Sequence, residues 1–302
     1  HANMDANTRP AKCANGIKHK MYNSLPTLYM QISKNNEFVT APDWFYNVEY
    51  EKERERGFEF REDLFTPGCF EFEIKKGESV IFSAGISQLD MKDVSSLFDV
   101  ELSKRIPRTN YENCLENSAQ QFIAKEKDKT EIIASFPWSG DWGRDSLVAL
   151  PGLLLTANDF KTSDAVLSTI AKNIDGHVYK NVGNIEHSNV ESIDTPLWFF
   201  WAVQQYAYSS KDYKGVCDKY LGKLIEIAKT LRDGKNKNVN MHENGLLYLP
   251  YTNKALTWMD ALLDGYPIVL RYGYVVEINA LWYNAVSFIV ELAKTMKDVT
   301  LE

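Results

Sequence analysis

The segment 197–203, Leu-Trp-Phe-Phe-Trp-Ala-Val, is apolar at nearly every position. It lies within a predicted helix over 195–208, and a helix that is apolar all round must be enclosed by other elements. A second predicted helix, over 275–297, has a similar character through Leu281 and Phe288. Because amphipathic segments alternate with these two, the sequence predicts two concentric helical layers, an α/α toroid.

The helical period begins near residue 108 and continues to the end of the chain. It predicts four further helices, over 111–127, 144–157, 161–174 and 213–232. Gly234 is a natural stop for the helix before it. A long Asn-rich segment then runs to Thr257, and loops of this length in a compact domain are often functional.

The chain before residue 106 has a different pattern. Short alternating runs separated by Gly and Pro predict strands at 28–32, 44–49, 70–74 and 80–82. The first 20 residues are polar and aperiodic and predict a linker or the tail of a missing strand, and the charged run 51–56 predicts a solvated turn. The expected fold is therefore mainly α with an N-terminal β part: a partial β-sandwich and linker over 1–105, and the helical domain over 106–302.

Composition excludes several classes of function. A net charge of −7 disfavours a nucleic-acid partner, and no apolar run is long enough for a membrane span. The cysteines (Cys13, Cys69, Cys114 and Cys217) show no CxxC spacing, and the histidines include no HxxxH pair. We therefore expect no metal site, no cofactor and no dense disulfide framework.

The N-terminus, His1-Ala2-Asn3-Met4, lacks the order of a signal peptide and does not resemble a natural translation start. We expect a piece of a longer, reduced, cytoplasmic chain. The sequence does not indicate an oligomeric state.

Asp260 is the first candidate for chemistry. It follows Trp258 and Met259, with no cation in its immediate sequence. Burial beside indole and thioether disfavours a charged carboxylate, which is the condition that a general acid needs. Trp258 supplies a flat apolar face of the kind that packs on a sugar ring. The alternative is a helix-capping Asp at the end of a loop.

A second cluster lies at the start of the helix 144–157. Arg144 and Asp145 are adjacent, so together they can donate to and accept from neighbouring sugar hydroxyls, and Trp138 and Trp142 supply stacking faces. The alternative is an ordinary ion pair on a capped helix, with two indoles in the core.

Two further carboxylates stand at predicted helix starts. Asp194 is either a hydroxyl acceptor in the cavity or an N-cap, with Pro196 in the first helical turn. Glu277 lies in the first turn of the last predicted helix, where the helix dipole favours a carboxylate without any catalytic duty.

Four ordered motifs carry a family resemblance. They are 142–146 (Trp-Gly-Arg-Asp-Ser), 194–199 (Asp-Thr-Pro-Leu-Trp-Phe), 257–261 (Thr-Trp-Met-Asp-Ala) and 276–284 (Val-Glu-Ile-Asn-Ala-Leu-Trp-Tyr-Asn). The chain resembles glycogen debranching enzymes of the amylo-α-1,6-glucosidase type over roughly residues 26–296. The segment 44–67 looks like the end of their N-terminal β domain.

The resemblance implies a six-fold α/α toroid, incomplete here, that hydrolyses α-1,6-linked glucose at branch points with inversion. The implied partner is glycogen, limit dextrin or a malto-oligosaccharide. Asp260 matches the family's general acid, and Arg144 and Asp145 match residues that hold the innermost glucosyl unit. Asp194, Trp258 and Glu277 are expected to line the same pocket.

Inverting hydrolysis also needs a carboxylate base, roughly 6.5–9.5 Å from the acid. The resemblance puts this base far toward the C-terminus of the family's chains, so we expect it beyond Glu302 and expect this fragment alone to be inactive. Three alternatives remain open: a glucoamylase-, trehalase- or invertase-like hydrolase on the same scaffold, a non-catalytic glycan-binding module, and a helical structural scaffold.

Overall fold

A computed structural model describes residues 2–3, 5–134, 143–175, 178–179, 191–234 and 237–296. The chain divides into two compact units, residues 1–105 and residues 106–302. The units are described one at a time below.

The first unit is mainly β. Strands β1, β2, β3 and β6 form an antiparallel sheet in that order, and β4 and β5 form a separate long hairpin. In chain order its elements are β1 (Ala11–Cys13), β2 (Gly16–His19), β3 (Leu28–Ile32), β4 (Glu37–Glu49), α1 (Glu51–Glu55), β5 (Arg61–Glu71), β6 (Phe82–Gly85) and α2 (Val94–Ser103). The predicted strand at 28–32 coincides with β3, and the one at 44–49 lies inside β4. The predicted strands at 70–74 and 80–82 overlap β5 and β6, respectively, only in part. The β-sandwich stays a prediction.

The prediction of a linker over the first 20 residues was wrong, because β1 and β2 form a hairpin there. Ala14 and Asn15 connect the strands, with Cys13 paired to Gly16. Asn15 has a φ of 53°, a left-handed conformation that Asn tolerates and that tight hairpins require. Gly16 lies so close to the next strand that a Cβ would stand 2.0 Å from the Met30 carbonyl oxygen. The Asn-Gly dipeptide was the signal of this turn.

The second unit is helical, and the described residues include four short antiparallel strand pairs between its helices. In chain order its elements are α3 (Tyr111–Gln120), β7 (Ile123–Glu126), β8 (Lys129–Ile132), α4 (Gly143–Leu150), a π-helical turn (Pro151–Leu155), α5 (Phe160–Asn173), β9 (Ile174–Asp175), β10 (Val178–Tyr179), α6 (Asp194–Ser210), α7 (Tyr213–Arg232), β11 (Asn240–Met241), β12 (Leu247–Tyr248), β13 (Leu262–Leu263), β14 (Tyr266–Pro267) and α8 (Val276–Met296).

Helix α6 lies at the centre of this unit and contacts α4, α5, α7 and α8. The predicted burial of the segment 197–203 is confirmed, since Leu197, Phe199, Phe200 and Val203 have no exposed surface. A helix that is apolar on every side is stabilised when neighbouring elements cover all of its faces. Because α6 begins at Asp194, its burial also fixes that carboxylate at the edge of the core.

Two predicted helices end differently from expectation. The helix predicted over 111–127 stops at Gln120, and the chain turns into the hairpin β7–β8, which buries Ile132 against the helical core. The helix predicted over 144–157 is α-helical only to Leu150. Pro151 has no N–H for the ladder, and the next turn closes from Thr156 N–H to the Pro151 carbonyl at 3.1 Å, a π-helical bond.

Helix α8 buries one face only, so its expected similarity to α6 was wrong. Ile278, Leu281, Ala285 and Phe288 are buried at helical spacing, whereas Tyr283 is exposed. Its pattern is that of an amphipathic helix whose polar face includes an aromatic ring. The six-fold toroid stays a prediction.

Two observations bear on the chemistry of the chain as a whole. The four cysteines all lie in the described ranges and are free thiols. Within those ranges, no helix is both long enough and apolar enough to cross a lipid bilayer.

Candidate active site

Arg144 lies in the first turn of α4 and joins two carboxylates that are distant in the sequence. Its Nη2 lies 2.5 Å from Asp260 Oδ2, and its Nη1 lies 3.2 Å from Asp194 Oδ2. The guanidinium is largely buried. The start of α4, the start of α6 and the loop before β13 therefore meet at one side chain.

Asp194 is the most enclosed member of this cluster, with 1% of its side chain exposed. Its Oδ1 accepts a hydrogen bond from Ser192 Oγ at 2.5 Å, and Ser192 Oγ lies 2.6 Å from Thr195 Oγ1. The N-cap position of α6 is Ile193, and no side chain caps the helix there. The N-cap interpretation of Asp194 was therefore wrong: its carboxylate bonds Arg144 and Ser192 instead.

Asp145 is half-exposed and lies beside the same guanidinium, with its Oδ1 3.9 Å from Arg144 Nε. Burial raises the pKa of Asp145 most strongly. Arg144 lowers it, whereas the charges of Asp260 and Asp194 raise it, and the net direction is upward. Burial opposes the charge on Arg144, but Asp194 and Asp260 together raise the pKa of Arg144. Three carboxylates therefore share one guanidinium.

Asp260 is partly accessible, with 23% of its side chain exposed. No cation lies near it in the sequence, but its carboxylate contacts Arg144, a residue that the resemblance assigns to the same pocket, across 116 positions of sequence. It is not a helix cap, since it lies in a loop that leads into β13. No local pattern could have indicated this pairing.

A second arginine, Arg271, holds the other predicted residues. Its Nη2 lies 2.5 Å and 2.6 Å from the two oxygens of Glu277, and its Nη1 lies 3.1 Å from Met259 Sδ. Glu277 Oε1 also accepts a hydrogen bond of 3.2 Å from Trp258 Nε1. Glu277 lies in the first turn of α8, as predicted. Arg271 was missed by sequence reasoning, since an isolated arginine in a loop carries no pattern.

The remaining predicted residues, Trp138 and Trp142, lie outside the described residues. The described side chains therefore form two groups. Arg144 lies with Asp145, Asp194 and Asp260, and Arg271 lies with Trp258 and Glu277. In the ranges that the structure describes, no set of side chains is arranged to hold a metal ion.

Comparison with known families identifies the family of the chain. A family model described as amylo-alpha-1,6-glucosidase matches residues 117–301, which is more than half of the chain. The chain belongs to the amylo-alpha-1,6-glucosidase family. A second model, glycogen debranching enzyme N terminal, matches residues 1–81. Searches of curated proteins and of solved structures found no match.

The predicted resemblance to glycogen debranching enzymes is thereby confirmed. Both arginine groups lie inside the region that matches the amylo-alpha-1,6-glucosidase family. At the level of the family, the chain is associated with glycoside hydrolysis and with a glycogen-type carbohydrate substrate. The two accessible carboxylates beside Arg144, Asp145 and Asp260, can accept hydrogen bonds, and the guanidinium can donate them.

Proposed function

We propose that this chain carries the proton donor and the innermost glucose site of an enzyme that hydrolyses α-1,6-linked glucose at branch points of glycogen or limit dextrin, with inversion. The observation that supports it best is the guanidinium of Arg144, which contacts Asp194 and Asp260 at once. Membership in the amylo-alpha-1,6-glucosidase family supports the same reaction.

Asp260 is the proposed general acid, and it donates a proton to the glycosidic oxygen as the bond breaks. A general acid must reach the leaving oxygen, and among the two carboxylates bonded to Arg144 only Asp260 is accessible, since Asp194 is enclosed. Asp194 instead anchors Arg144 from the protein side. Asp145 is half-exposed, and it accepts a hydrogen bond from a hydroxyl of the bound glucose.

The two terminal nitrogens of the Arg144 guanidinium then have separate roles. Nη1 remains on the buried Asp194, which holds the guanidinium in one orientation. Nη2 bonds Asp260 in the free protein, and a sugar hydroxyl bound at the same place takes over that donor. Substrate binding therefore frees the carboxylate of Asp260, which takes up a proton from solvent and then donates it to the leaving oxygen beside it.

Trp258 is the proposed stacking face for a glucosyl unit, since half of its surface is exposed while its indole N–H is fixed by Glu277. Glu277 is not proposed as the base, because Arg271 occupies both of its oxygens. The base of the inverting reaction is left unassigned in this chain, and we propose that polypeptide following Glu302 supplies it.

Replacing Asp260 by Asn in the full natural polypeptide tests the acid. Release of glucose from limit dextrin should fall about 10²–10⁴-fold, the usual contribution of a general acid. Turnover of α-glucosyl fluoride should be largely kept, since fluoride leaves without protonation. Asp128→Asn, an exposed Asp in the turn between β7 and β8, is the matched control and should behave like the wild type. Unchanged release of glucose by Asp260→Asn would reject the assignment.

The same measurements separate the alternatives. Glucose released from maltose, trehalose or sucrose, and none from limit dextrin, would indicate a glucoamylase-, trehalase- or invertase-like specificity. Dextrin binding without turnover of any substrate by the full polypeptide would indicate a glycan-binding module. Absence of sugar affinity would leave a structural scaffold.

A further inference from the structure

The loop that carries Asp260 and Arg271 also carries a short ribbon outside the proposed site. Leu249 and Gly273 pair in an antiparallel bridge, with N···O distances of 3.0 Å and 2.8 Å. Leu249 is fully buried. Because successive side chains along an extended segment point to opposite faces, the neighbours of Leu249 and Gly273 turn toward solvent. Those neighbours include Tyr248 and Tyr274.

Four tyrosines lie on or next to this ribbon, and we call them the tyrosine face: Tyr248, Tyr251, Tyr272 and Tyr274. They form two edge-to-face pairs, Tyr248 with Tyr274 at 5.3 Å between ring centroids and Tyr251 with Tyr272 at 5.5 Å. Tyr251 is 64% exposed and Tyr272 is 57% exposed.

The pair of Tyr248 and Tyr274, which we call the inner pair, is held in place by His242. Its ring stacks on Tyr248 at 4.8 Å, and its Nδ1 lies 2.6 Å from the Tyr274 hydroxyl oxygen. The rings of the inner pair are therefore fixed before any ligand arrives, which reduces the conformational entropy that binding must remove.

In the sequence, the tyrosine face lies next to a residue of the proposed site on one side and next to an open groove on the other. Tyr272 directly follows Arg271, which holds Glu277. On the other side, Tyr251 is followed by an open groove of about 520 Å³, a volume within the usual range of small-molecule sites. Its lining residues are Thr252, Asn253, Lys254, Asp264, Gly265 and Tyr266. Asp264 is four residues from Asp260, so their Cα atoms are within about 14 Å.

The chemistry of this surface favours a carbohydrate chain. Exposed tyrosine rings present flat apolar faces with a hydroxyl at the tip, which suits the apolar face and the hydroxyl rim of a pyranose. Nucleic-acid bases also stack on aromatic rings, but such sites need a positively charged groove for the phosphates. The chain has a net charge of −7, and the cations nearest in sequence, Lys254 and Arg271, are paired with Glu191 and Glu277.

We infer that the tyrosine face and the adjoining groove bind a linear stretch of α-glucan next to the branch point. The inference rests on the proposed function, because it takes a branched glucan as the substrate. It assigns a second binding surface, outside the cluster of Arg144, that holds the chain from which the branch departs.

The test is the double substitution Tyr251→Ala/Tyr272→Ala in the full natural polypeptide. Both side chains are exposed, so the fold should persist. The Kd for maltoheptaose and the KM for limit dextrin should each rise about tenfold, since two stacking contacts are lost. The rate constant kcat/KM for α-glucosyl fluoride, which fills only the innermost site, should not change.

Two further variants control for loss of structure. Tyr251→Phe/Tyr272→Phe keeps both rings and should stay within about twofold of the wild type in affinity. Tyr111→Ala removes an equally exposed ring at the start of α3, and it should leave both the Kd and the Tm unchanged.

Two outcomes would overturn the inference. Unchanged maltoheptaose affinity in the alanine double variant would mean that the tyrosine face binds no glucan. A lowered Tm together with equal losses on limit dextrin and on α-glucosyl fluoride would mean that it packs against protein. Neither outcome touches the proposed function, which fails only if the wild type releases no glucose from limit dextrin or if Asp260→Asn releases it normally.

Discussion

Arg144 and Arg271 each hold carboxylates near the proposed site, in different surroundings. Arg144 is the more buried, and the two carboxylates that it bonds come from distant parts of the chain. Arg271 is more exposed and pairs with Glu277, only six residues away. Arg144 therefore compensates a fully buried charge, whereas Arg271 orients groups that water can also reach.

The ion pair of Arg144 with Asp194 therefore supports the fold, whereas the pair of Arg271 with Glu277 orients groups at the surface of the proposed site. Removing one partner of a buried pair leaves the other charge without compensation, and this penalty is large. Removing one partner of a half-exposed pair lets water replace it. Three substitutions probe this difference, in order of expected effect.

The largest effect is expected for Arg144→Gln. Among the described residues, the Ser192 hydroxyl is then the remaining hydrogen-bond partner of the buried Asp194, and the free energy of unfolding should fall by about 3–5 kcal/mol. Urea unfolding measures it. Adding Asp194→Asn should recover part of the loss, because the uncompensated charge is removed. A loss below about 1 kcal/mol would mean that Arg144 and Asp194 are not paired as described.

A smaller effect is expected for Arg271→Gln. Both charges are partly exposed, so the free energy of unfolding should fall by only about 0.2–1 kcal/mol. Glu277 would lose its guanidinium partner and Trp258 would be less firmly held, so the KM for limit dextrin should rise about threefold while kcat stays within about twofold, as for the loss of a positioning contact.

The readout specific to Trp258 is its fluorescence. Arg271→Gln should change the emission of the protein, and the same substitution in a Trp258→Phe background should not. Equal changes in both backgrounds would contradict the link from Arg271 through Glu277 to the indole.

The smallest effect is expected for Asp145→Asn. Burial and the neighbouring carboxylates raise the pKa of Asp145 in the folded chain. At pH values above that raised pKa, Asp145 is ionised in both the folded and the unfolded chain. Its charge is disfavoured only in the folded chain. Removal of the charge should therefore raise the Tm at pH 7, by about 1 °C because the exposed half of the side chain is screened by solvent.

The gain should shrink as the pH falls through the raised pKa of Asp145, and should vanish below the ordinary Asp value of about 3.9, where both states are protonated. Thermal scans at several pH values measure this dependence. Glucose release should fall in the same variant, since the amide oxygen of Asn accepts a weaker hydrogen bond from the sugar hydroxyl than the carboxylate does. A lower Tm at pH 7 would contradict the upward direction.

The motifs predicted some of these relations and missed others. Trp258 and Glu277 were assigned to one pocket from the sequence, and the structure joins them by a hydrogen bond. Arg144 was paired only with its neighbour Asp145, whereas its closer partner is Asp260. The π-helical turn at Pro151 had a visible cause in the sequence, but the predicted helix ran through it.

Hydrophobic period and short motifs are local properties of a chain, so the buried central helix, the family and the candidate carboxylates could be predicted from the residues alone. The sharing of charges, with Asp194 and Asp260 on Arg144 and Glu277 on Arg271, depends on tertiary packing. The physical reason is that an ion pair depends on distance in space, and packing of α4 and α6 brings together groups that sequence separation keeps apart.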